Sequence, residues 1–259
     1  MSGLRGAFSR VLEIVALPAV ILIVWWFASA NSESFYSPPL SEIAAAFAPT
    51  WFEGRLVSDV LPSVGRMLLG FAIAVGLGVG LGVLIGMFRY VREVLEPVLE
   101  FLRAVPPPVL IPVIMLFAGI GDEMKVSVIV LGSIWPVLLN TIEGVRGIDE
   151  VLRETATVFR MHPRRRLFKL VLRGASPQIM VGARQTLSLA IILMVVSEMF
   201  AASNGLGFTV IQFQRTFHIP EMWTGILVLG VIGAALSLIF SLVEGRVLRW
   251  YHGLRNLER

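Results

Sequence analysis

Few side chains in this sequence have the types and spacing that catalysis requires. The histidines His162, His218 and His252 are too far apart in sequence and in predicted topology to suggest a metal site, and no nucleophile is paired with a general base. The two lysines, Lys125 and Lys169, do not follow a glycine as the lysine of a phosphate-binding P-loop does. We therefore expect that the chain is not an enzyme, binds no metal or cofactor of its own, and does not hydrolyse ATP by that mechanism.

Ionisable side chains within long apolar runs are stronger functional candidates, because a charge at membrane depth is costly to bury. Arg184 could meet an anionic substrate, stabilise a helix end, or extend toward the membrane surface. Arg103 is equally ambiguous, since Glu96 and Glu100 lie within one or two helical turns of it. For the polar and aromatic residues of the same runs, ordinary helix packing is the alternative. The candidate substrate-pathway residues are Arg103, Trp135, Asn140, Arg184, Gln185 and Glu198.

The composition predicts that lipid surrounds most of this chain. Hydrophobic residues make up 56% of the 259 residues and charged residues only 15%, and the mean hydropathy is +0.80. Soluble domains have about a quarter charged residues, and this chain lacks the polar residues that would cover a soluble core. The net charge of +4 would suggest nucleic acid as the partner of a soluble protein. In a membrane protein, basic residues mark the cytoplasmic side instead, so we expect no nucleic acid.

Six apolar runs are long enough to cross ~30 Å of hydrocarbon as helices, which takes ~20 residues each. Because these runs are apolar on every face, a membrane β-barrel is a poor alternative. The sequence thus predicts an all-α, polytopic membrane protein with a single transmembrane domain over residues 1–259. Prolines 106–108 and Pro112 predict a kinked or broken third helix. The predicted spans are about 12–32, 66–88, 97–121, 125–143, 174–199 and 222–244.

The distribution of basic residues predicts the orientation of the spans. With the N-terminus inside, the cytoplasmic segments hold most of the 22 arginines and lysines, and the opposite side holds Arg55, Lys125 and Arg215. Both termini are therefore expected in the cytoplasm. Ala28-Ser29-Ala30 imitates a signal-peptidase site, so removal of the first segment after Ala30 is the alternative. The five further spans favour an uncleaved first helix.

The segment between the fourth and fifth spans, 144–173, is too polar to cross a membrane and too apolar to be a disordered tail. Asp149 can cap a helix that begins at Glu150, and Met161-His162-Pro163 breaks that helix, since proline suits the first position of a new one. The second helix is basic and amphipathic. From the residues alone two interpretations remain open, in which the segment lies on anionic lipid or docks in the groove of a partner protein.

This segment resembles the EAA loop of the membrane subunits of bacterial ABC importers. The usual pattern is Glu-Ala-Ala, three residues, Gly, nine residues, Ile-x-Leu-Pro, and it is matched at Glu154, Ala156 and Leu172. Thr155 stands in place of an alanine, Arg160 in place of the glycine and Arg173 in place of the proline, so the segment departs from the pattern at these three positions.

The resemblance extends over nearly the whole chain, to permeases of the nitrate, sulfonate and taurine type. Its specificity comes from many weak matches in the right order rather than from one motif. The matching runs are 37–43, 63–71, 96–97, 102–107, 117–121 with Lys125, 140–141, 144–145, 197–199 and 205–207.

The resemblance implies a permease subunit of a type I ABC importer in the inner membrane of a bacterium. It implies a second copy of the chain, two ATPase subunits that bind ATP and magnesium, and an extracytoplasmic solute-binding protein. It further implies a gate or structural role for Glu198 and a small substrate, such as nitrate, an alkanesulfonate, taurine, or an aromatic or pyrimidine-like compound. A short coupling helix would sit in the groove of the ATPase. The implied coupling residues are Glu154, Thr155, Ala156, Val158, Phe159, Arg160, Met161, His162 and Pro163.

Two other classes of membrane protein are alternatives. An ion-coupled secondary transporter is expected to have inverted repeats and intramembrane Asp or His relays, and the sequence has neither. An intramembrane enzyme needs a paired nucleophile and base, which is also missing. The sequence therefore favours the importer subunit, surrounded by membrane lipid.

Overall fold

A computed structural model of the chain describes residues 16, 20–30, 32, 34–200 and 202–255. Every regular element within these residues is helical, which confirms the all-α prediction. Short π-helical segments, Leu56–Val60 and Arg166–Val171, lead directly into longer helices, and a 3₁₀ turn spans Pro107–Leu110. The helices are α1 (Val20–Ser29), α2 (Leu40–Phe52), α3 (Leu61–Met87), α4 (Arg89–Ala104), α5 (Ile111–Ala118), α6 (Asp122–Arg146), α7 (Glu150–Val158), α8 (Pro163–Arg165), α9 (Leu172–Phe200), α10 (Leu206–Arg215), α11 (Ile219–Val247) and α12 (Arg249–Arg255).

Four continuous helical stretches of the described residues are long and apolar enough to cross a membrane, and a bent pair makes up to five. They correspond to the second, fourth, fifth and sixth predicted spans. Helix α1 is the described part of the first predicted span, about 12–32, and the rest of that span lies outside the described residues, as do Arg5 and Arg10. The four stretches are Leu56–Met87, Asp122–Arg146, Pro163–Phe200 and Ile219–Val247.

The third predicted span, about 97–121, is broken, as its prolines predict. Helix α4 and the helical stretch Pro107–Ala118 are bent by 88° relative to each other. Val105 and Pro106 have extended backbones between the two, because proline restricts the residue before it and has no N–H to continue the helix. Helix α4 also carries charged residues on its surface, so Pro107–Ala118 is the apolar part of this span.

One compact unit is formed by the described residues of Met1–Val57 together with Thr209–Val228. Trp51 of α2 is fully buried in this unit and donates its indole N–H to the hydroxyl of Thr224 at 2.9 Å. A Cβ added at Gly225 would lie 2.6 Å from an α10 side chain, so glycine permits a close approach there. The hydrogen bond and the close contact fix α2 and α10 against the start of α11.

The other compact unit is formed by the described residues of Ser58–Phe208 and Leu229–Arg259, and in it α6 packs between α3 and α9. Glycines of α3 allow this packing, since a Cβ added at Gly78, Gly82 or Gly86 would lie between 2.5 and 2.8 Å from an α6 side chain. Their spacing of four residues is the small-xxx-small pattern that lets membrane helices approach closely. The three glycines therefore set the distance between α3 and α6.

The apolar core of this second unit is formed by α3, α5, α6 and α9. Lipid tails are as apolar as these side chains, so close van der Waals packing holds the helices together rather than removal from water. The unbranched side chains of three methionines suit such irregular gaps. The buried core residues are Met67, Ile111, Met124, Val128, Ile129, Leu187, Ala190, Leu193 and Met194.

Candidate functional site

Four of the six candidate pathway residues line one open cleft. Arg103 comes from the end of α4, Trp135 and Asn140 from the second half of α6, and Gln185 from the middle of α9. The cleft has a volume of about 560 Å³, which is enough for a small solute. Its other lining residues are Glu100, Ala104, Pro136 and Leu139.

The cleft presents amide groups and an aromatic ring, and its charges are balanced. The side-chain amide of Asn140 donates to a backbone carbonyl one turn earlier in α6 at 2.8 Å, and it lies 3.5 Å from the side-chain oxygen of Gln185. Arg103 Nε donates to Glu100 at 2.9 Å, at the three-residue spacing that the sequence indicated. A solute in this cleft would therefore meet hydrogen-bonding groups and the Trp135 ring rather than an isolated positive charge.

Arg184 is not among the residues that line this cleft. It forms an ion pair with Glu244 near the end of α11, and its guanidinium lies 6.0 Å from the centre of the Phe240 ring. Arg184 is 52% exposed and Glu244 is 19% exposed. These contacts fit the helix-stabilising alternative for Arg184. Sequence reasoning missed Glu244 because 60 residues separate the pair and because the carboxylate lies at the edge of the last predicted span.

Glu198 is fully buried and accepts hydrogen bonds from three donors, two on α3 and one in the first turn of α10. Ser63 Oγ donates to its carboxylate at 2.7 Å, Arg66 Nη1 at 2.9 Å and the backbone N–H of Gly207 at 3.0 Å. Gly205 has φ of +117°, and a Cβ added there would lie 2.5 Å from Glu198 Cδ. The carboxylate therefore ties the end of α9 to α3 and to the loop before α10, in a contact that only glycine permits.

The buried cluster around this carboxylate extends to the surface. Arg66 Nη2 donates to Asn204 at 2.8 Å, and Arg66 Nε lies 2.8 Å from the carboxylate of Asp122. Lys125 lies 3.6 Å from the same carboxylate, and Asp59 accepts the N–H of the loop glycine at 3.2 Å. Arg66 and Lys125 are buried, whereas Asp122 is 65% exposed. The cluster thus compensates each buried cation and closes one end of this helical unit.

Sequence reasoning identified the central glutamate but not its partners. The partners lie in runs 63–71 and 205–207. Each run resembles the permease family by itself, but nothing in the sequence shows that either contacts run 197–199, which contains Glu198. The structure brings these three runs together. Their separate matches were the available signal, but their contacts join residues as many as 143 positions apart, which spacing cannot reveal.

The predicted coupling residues lie on α7 and on the turn that follows it. The side chain of Asp149 accepts the N–H of Val151 at 2.9 Å, which confirms the predicted cap. Helix α7 ends at Val158, and Arg160 has φ of +47°, the left-handed region where the resembling pattern has glycine. Pro163 then begins α8, as predicted. The turn therefore keeps a backbone suited to glycine although an arginine occupies it.

The tip of this segment is apolar and exposed. Val158 and Phe159 are 78% and 79% exposed, and Met161 is 37% exposed. Ala156 is buried against the rest of the unit. Exposed apolar groups rimmed by polar ones are typical of a surface that contacts another protein. The polar or proline positions of the predicted set that are also exposed are Glu154, Thr155, Arg160, His162 and Pro163.

Helix α7 is attached to the ends of the helices that form the core. The side chain of Arg153 donates to the carbonyl of Val145 and, at 3.3 Å, to that of Arg146, both in the last turn of α6. Val145 also packs with Val171, at the end of the π-helical segment, and with Ala175 in the first turn of α9. Helix α7 is therefore joined to the end of α6 by hydrogen bonds, and α6 in turn packs on the start of α9 through Val145.

The described residues contain no group of three or more histidine, cysteine or carboxylate side chains that could hold a metal ion. His218 lies 2.9 Å from the hydroxyl of Thr216, and His162 lies on the exposed turn before α8.

Known proteins are similar to this chain in sequence and in fold. The sequence model of the family described as "Binding-protein-dependent transport system inner membrane component" matches residues 74–252. The protein of Bacillus subtilis (strain 168) named for aliphatic sulfonates transport, permease SsuC, is 30% identical, over 90% of this chain and 86% of that protein. The taurine transport system permease TauC of Escherichia coli (strain K12) is 29% identical, over 90% of this chain and 87% of that protein.

A solved structure supports the same architecture. The inward-facing MetNI methionine ABC transporter matches with a TM-score of 0.63, over 73% of this chain and 94% of the matched chain. The identity is 18%, so this likeness concerns the fold.

Proposed function

The chain belongs to the family of binding-protein-dependent transport system inner membrane components, and from this premise we propose that residues 149–163 couple a separate ATPase subunit to a solute pathway. The observation that carries the proposal is the apolar tip at Val158, Phe159 and Met161, which is exposed at a turn of the family's type. A short helix that ends in an exposed apolar turn of this kind suits a groove in a partner protein.

The proposed coupling uses the attachments of α7. Two ATPase subunits bind ATP and magnesium, close on each other and displace the tip. Arg153 passes this displacement to the end of α6, and the packing of Val145 on Ala175 passes it to α9. Alternating access follows when α6 and α9 move, because both helices line the cleft.

We place the solute pathway at the cleft of Arg103, Trp135, Asn140 and Gln185, facing the same cleft of a second copy of the chain. The buried cluster around Glu198 has the structural role in this account. It holds one end of α3, α6 and α9 together while the opposite end responds to the ATPase.

The proposed substrate is a small polar solute delivered by an extracytoplasmic binding protein. Relatives named for aliphatic sulfonates, taurine and nitrate make these compounds the first candidates. The amide groups and the indole ring of the cleft make an aromatic or pyrimidine-like compound the second candidate.

The test is the ATPase activity of the co-purified complex in lipid, with and without the binding protein, across a panel of small anions and aromatic heterocycles. We expect one loaded binding protein to stimulate hydrolysis and the unloaded protein to do so much less. A complex without any ATPase subunit, with uptake driven by an ion gradient, would overturn the proposal.

A further inference from the structure

The basic face that leads from the coupling turn into α9 has no role in the proposed function. Arg165, Lys169 and Arg173 recur at every fourth residue of one continuous helical stretch, Pro163–Phe200, so they lie close to one side of it. All three are exposed, and none forms an ion pair with a carboxylate in the part of the chain that the structure describes. Their positive charge is therefore available to a ligand.

Arg173 brings a second basic segment to this face. Its guanidinium lies 5.1 Å from the centre of the Trp250 ring in α12. Arg246 and Arg249 are exposed and lie within four residues of that tryptophan. We call this set, Arg165, Lys169, Arg173, Arg246 and Arg249 with the Trp250 ring, the basic seam.

The lengths of the helices place the basic seam at the membrane surface. The stretch Pro163–Phe200 has 38 residues. At ~1.5 Å per residue it is ~57 Å long, nearly twice the ~30 Å of hydrocarbon. The apolar span predicted at 174–199 begins directly after the seam residues of this helix. The apolar helix Ile219–Val247 likewise ends where Trp250 and Tyr251 follow, and both residue types favour the membrane interface.

We infer that the basic seam binds the headgroup of an anionic phospholipid on the membrane face that carries the coupling segment. Arginine and lysine recognise phosphate oxygens through charge-assisted hydrogen bonds, and the acyl chains would lie along the apolar surfaces of α9 and α11. The apolar tip and the basic seam are thus two surfaces with two occupants. The sequence leaves two interpretations open for this segment, docking in a partner protein and lying on anionic lipid. In this account the apolar tip docks in the partner and the basic seam binds the lipid.

The test compares lipid retention by the purified permease, with the subunits that accompany it, in detergent supplemented with phosphatidylglycerol or phosphatidylcholine. The double variant Arg165→Gln/Lys169→Gln is expected to retain at least about tenfold less phosphatidylglycerol, because one cation near an anionic surface contributes roughly fivefold. Phosphatidylcholine retention is expected to stay the same. Arg165→Lys conserves the charge and is expected to behave as the unmodified chain does.

The matched control is Arg92→Gln/Arg215→Gln, which removes the same charge outside the basic seam and should leave retention unchanged. An equal loss in this control would overturn the inference, because net charge alone would then explain binding. Displacement of the lipid by glycerol phosphate at equal concentration would also overturn it, because the site would then take a free anion. If Arg165→Gln/Lys169→Gln retained lipid normally but purified without its ATPase subunit, the basic seam would be a binding surface for the ATPase, and the inference would be overturned. Lipid retention does not depend on transport, so its failure leaves the proposed function standing.

Discussion

At one end of α9, the carboxylate of Glu198 is 0% exposed and accepts hydrogen bonds from Ser63, Arg66 and the backbone N–H of Gly207 in the first turn of α10. The other end of α9, at Leu172, lies roughly 40 Å from Glu198 along the helix. Val158 and Phe159 precede that end in the chain, and each exposes more than three quarters of its surface. The two regions use opposite types of residue, since the buried one is polar and the exposed one is apolar. The polar residues are buried although polar groups favour water, and the apolar residues are exposed although apolar groups favour the interior.

The difference indicates where each region finds its partners. A buried charge is tolerated only when its counter-charges and hydrogen bonds are present within the fold. An exposed apolar tip gains nothing within this chain, so it can stabilise only a complex. We therefore expect substitutions in the Glu198 cluster to change the stability of the permease, and substitutions in the tip to change coupling alone.

The largest loss of stability is expected for Glu198→Ala. This change removes the buried carboxylate of the two that pair with Arg66 and leaves only the exposed Asp122, and breaking a buried ion pair costs about 3–5 kcal/mol of the free energy of unfolding. The loss should be visible as a lower thermal unfolding midpoint of the purified permease in detergent. Glu123→Gln is the matched control, because Glu123 is exposed in the first turn of α6. An unchanged midpoint for Glu198→Ala would show that the cluster does not hold the helices together.

Gly205→Ala is expected to destabilise through the same cluster. The glycine-only backbone costs about 1–3 kcal/mol in another residue, and the collision of Cβ with the Glu198 carboxylate costs about 1–3 kcal/mol more. Gly54 has nearly the same φ, +115° against +117°, but open space around its Cβ position. The difference between Gly205→Ala and Gly54→Ala in unfolding midpoint therefore measures the collision. Equal effects of the two substitutions would contradict the close contact.

A smaller and local effect is expected for Asp149→Ala, which removes the cap of α7. The loss of such a cap costs about 1 kcal/mol. Because α7 is exposed, we expect faster hydrogen exchange in residues 150–158 and no change elsewhere. Glu154→Ala keeps the cap and serves as the control. If exchange in α7 were the same in both variants, the cap would have no part in holding the coupling segment.

The smallest effect, with the opposite sign, is expected for Arg160→Gly. Relief of the left-handed backbone is partly offset by the greater entropy of glycine in the unfolded chain, so the turn gains at most about 1 kcal/mol. Arg164→Gly, within helix α8, should instead destabilise by about 1 kcal/mol. Hydrogen exchange in the turn measures both. Destabilisation by both substitutions to the same extent would contradict the left-handed conformation at Arg160.

The sequence predicts the helical class, the apolar spans and the break in the third span, because these depend on composition and on proline within a short window. The cap at Asp149 and the break before Pro163 are local in the same way. The partners of Glu198 and of Arg184 could not be predicted, because both clusters join helices that are distant in the chain. The cleft shows an intermediate case, since its residues were named individually but only the packing of α6 on α9 brings Asn140 and Gln185 together.

The central claim is that the exposed tip couples an ATPase to transport, and its most direct test is binding-protein-stimulated ATPase activity of Val158→Ser/Phe159→Ser in lipid. We predict that stimulation is lost while the thermal unfolding midpoint stays within experimental error. The control Phe168→Ser changes an aromatic residue that is 65% exposed but lies outside the tip, and it should preserve stimulation. Full stimulation of the double variant by the loaded binding protein would contradict the account.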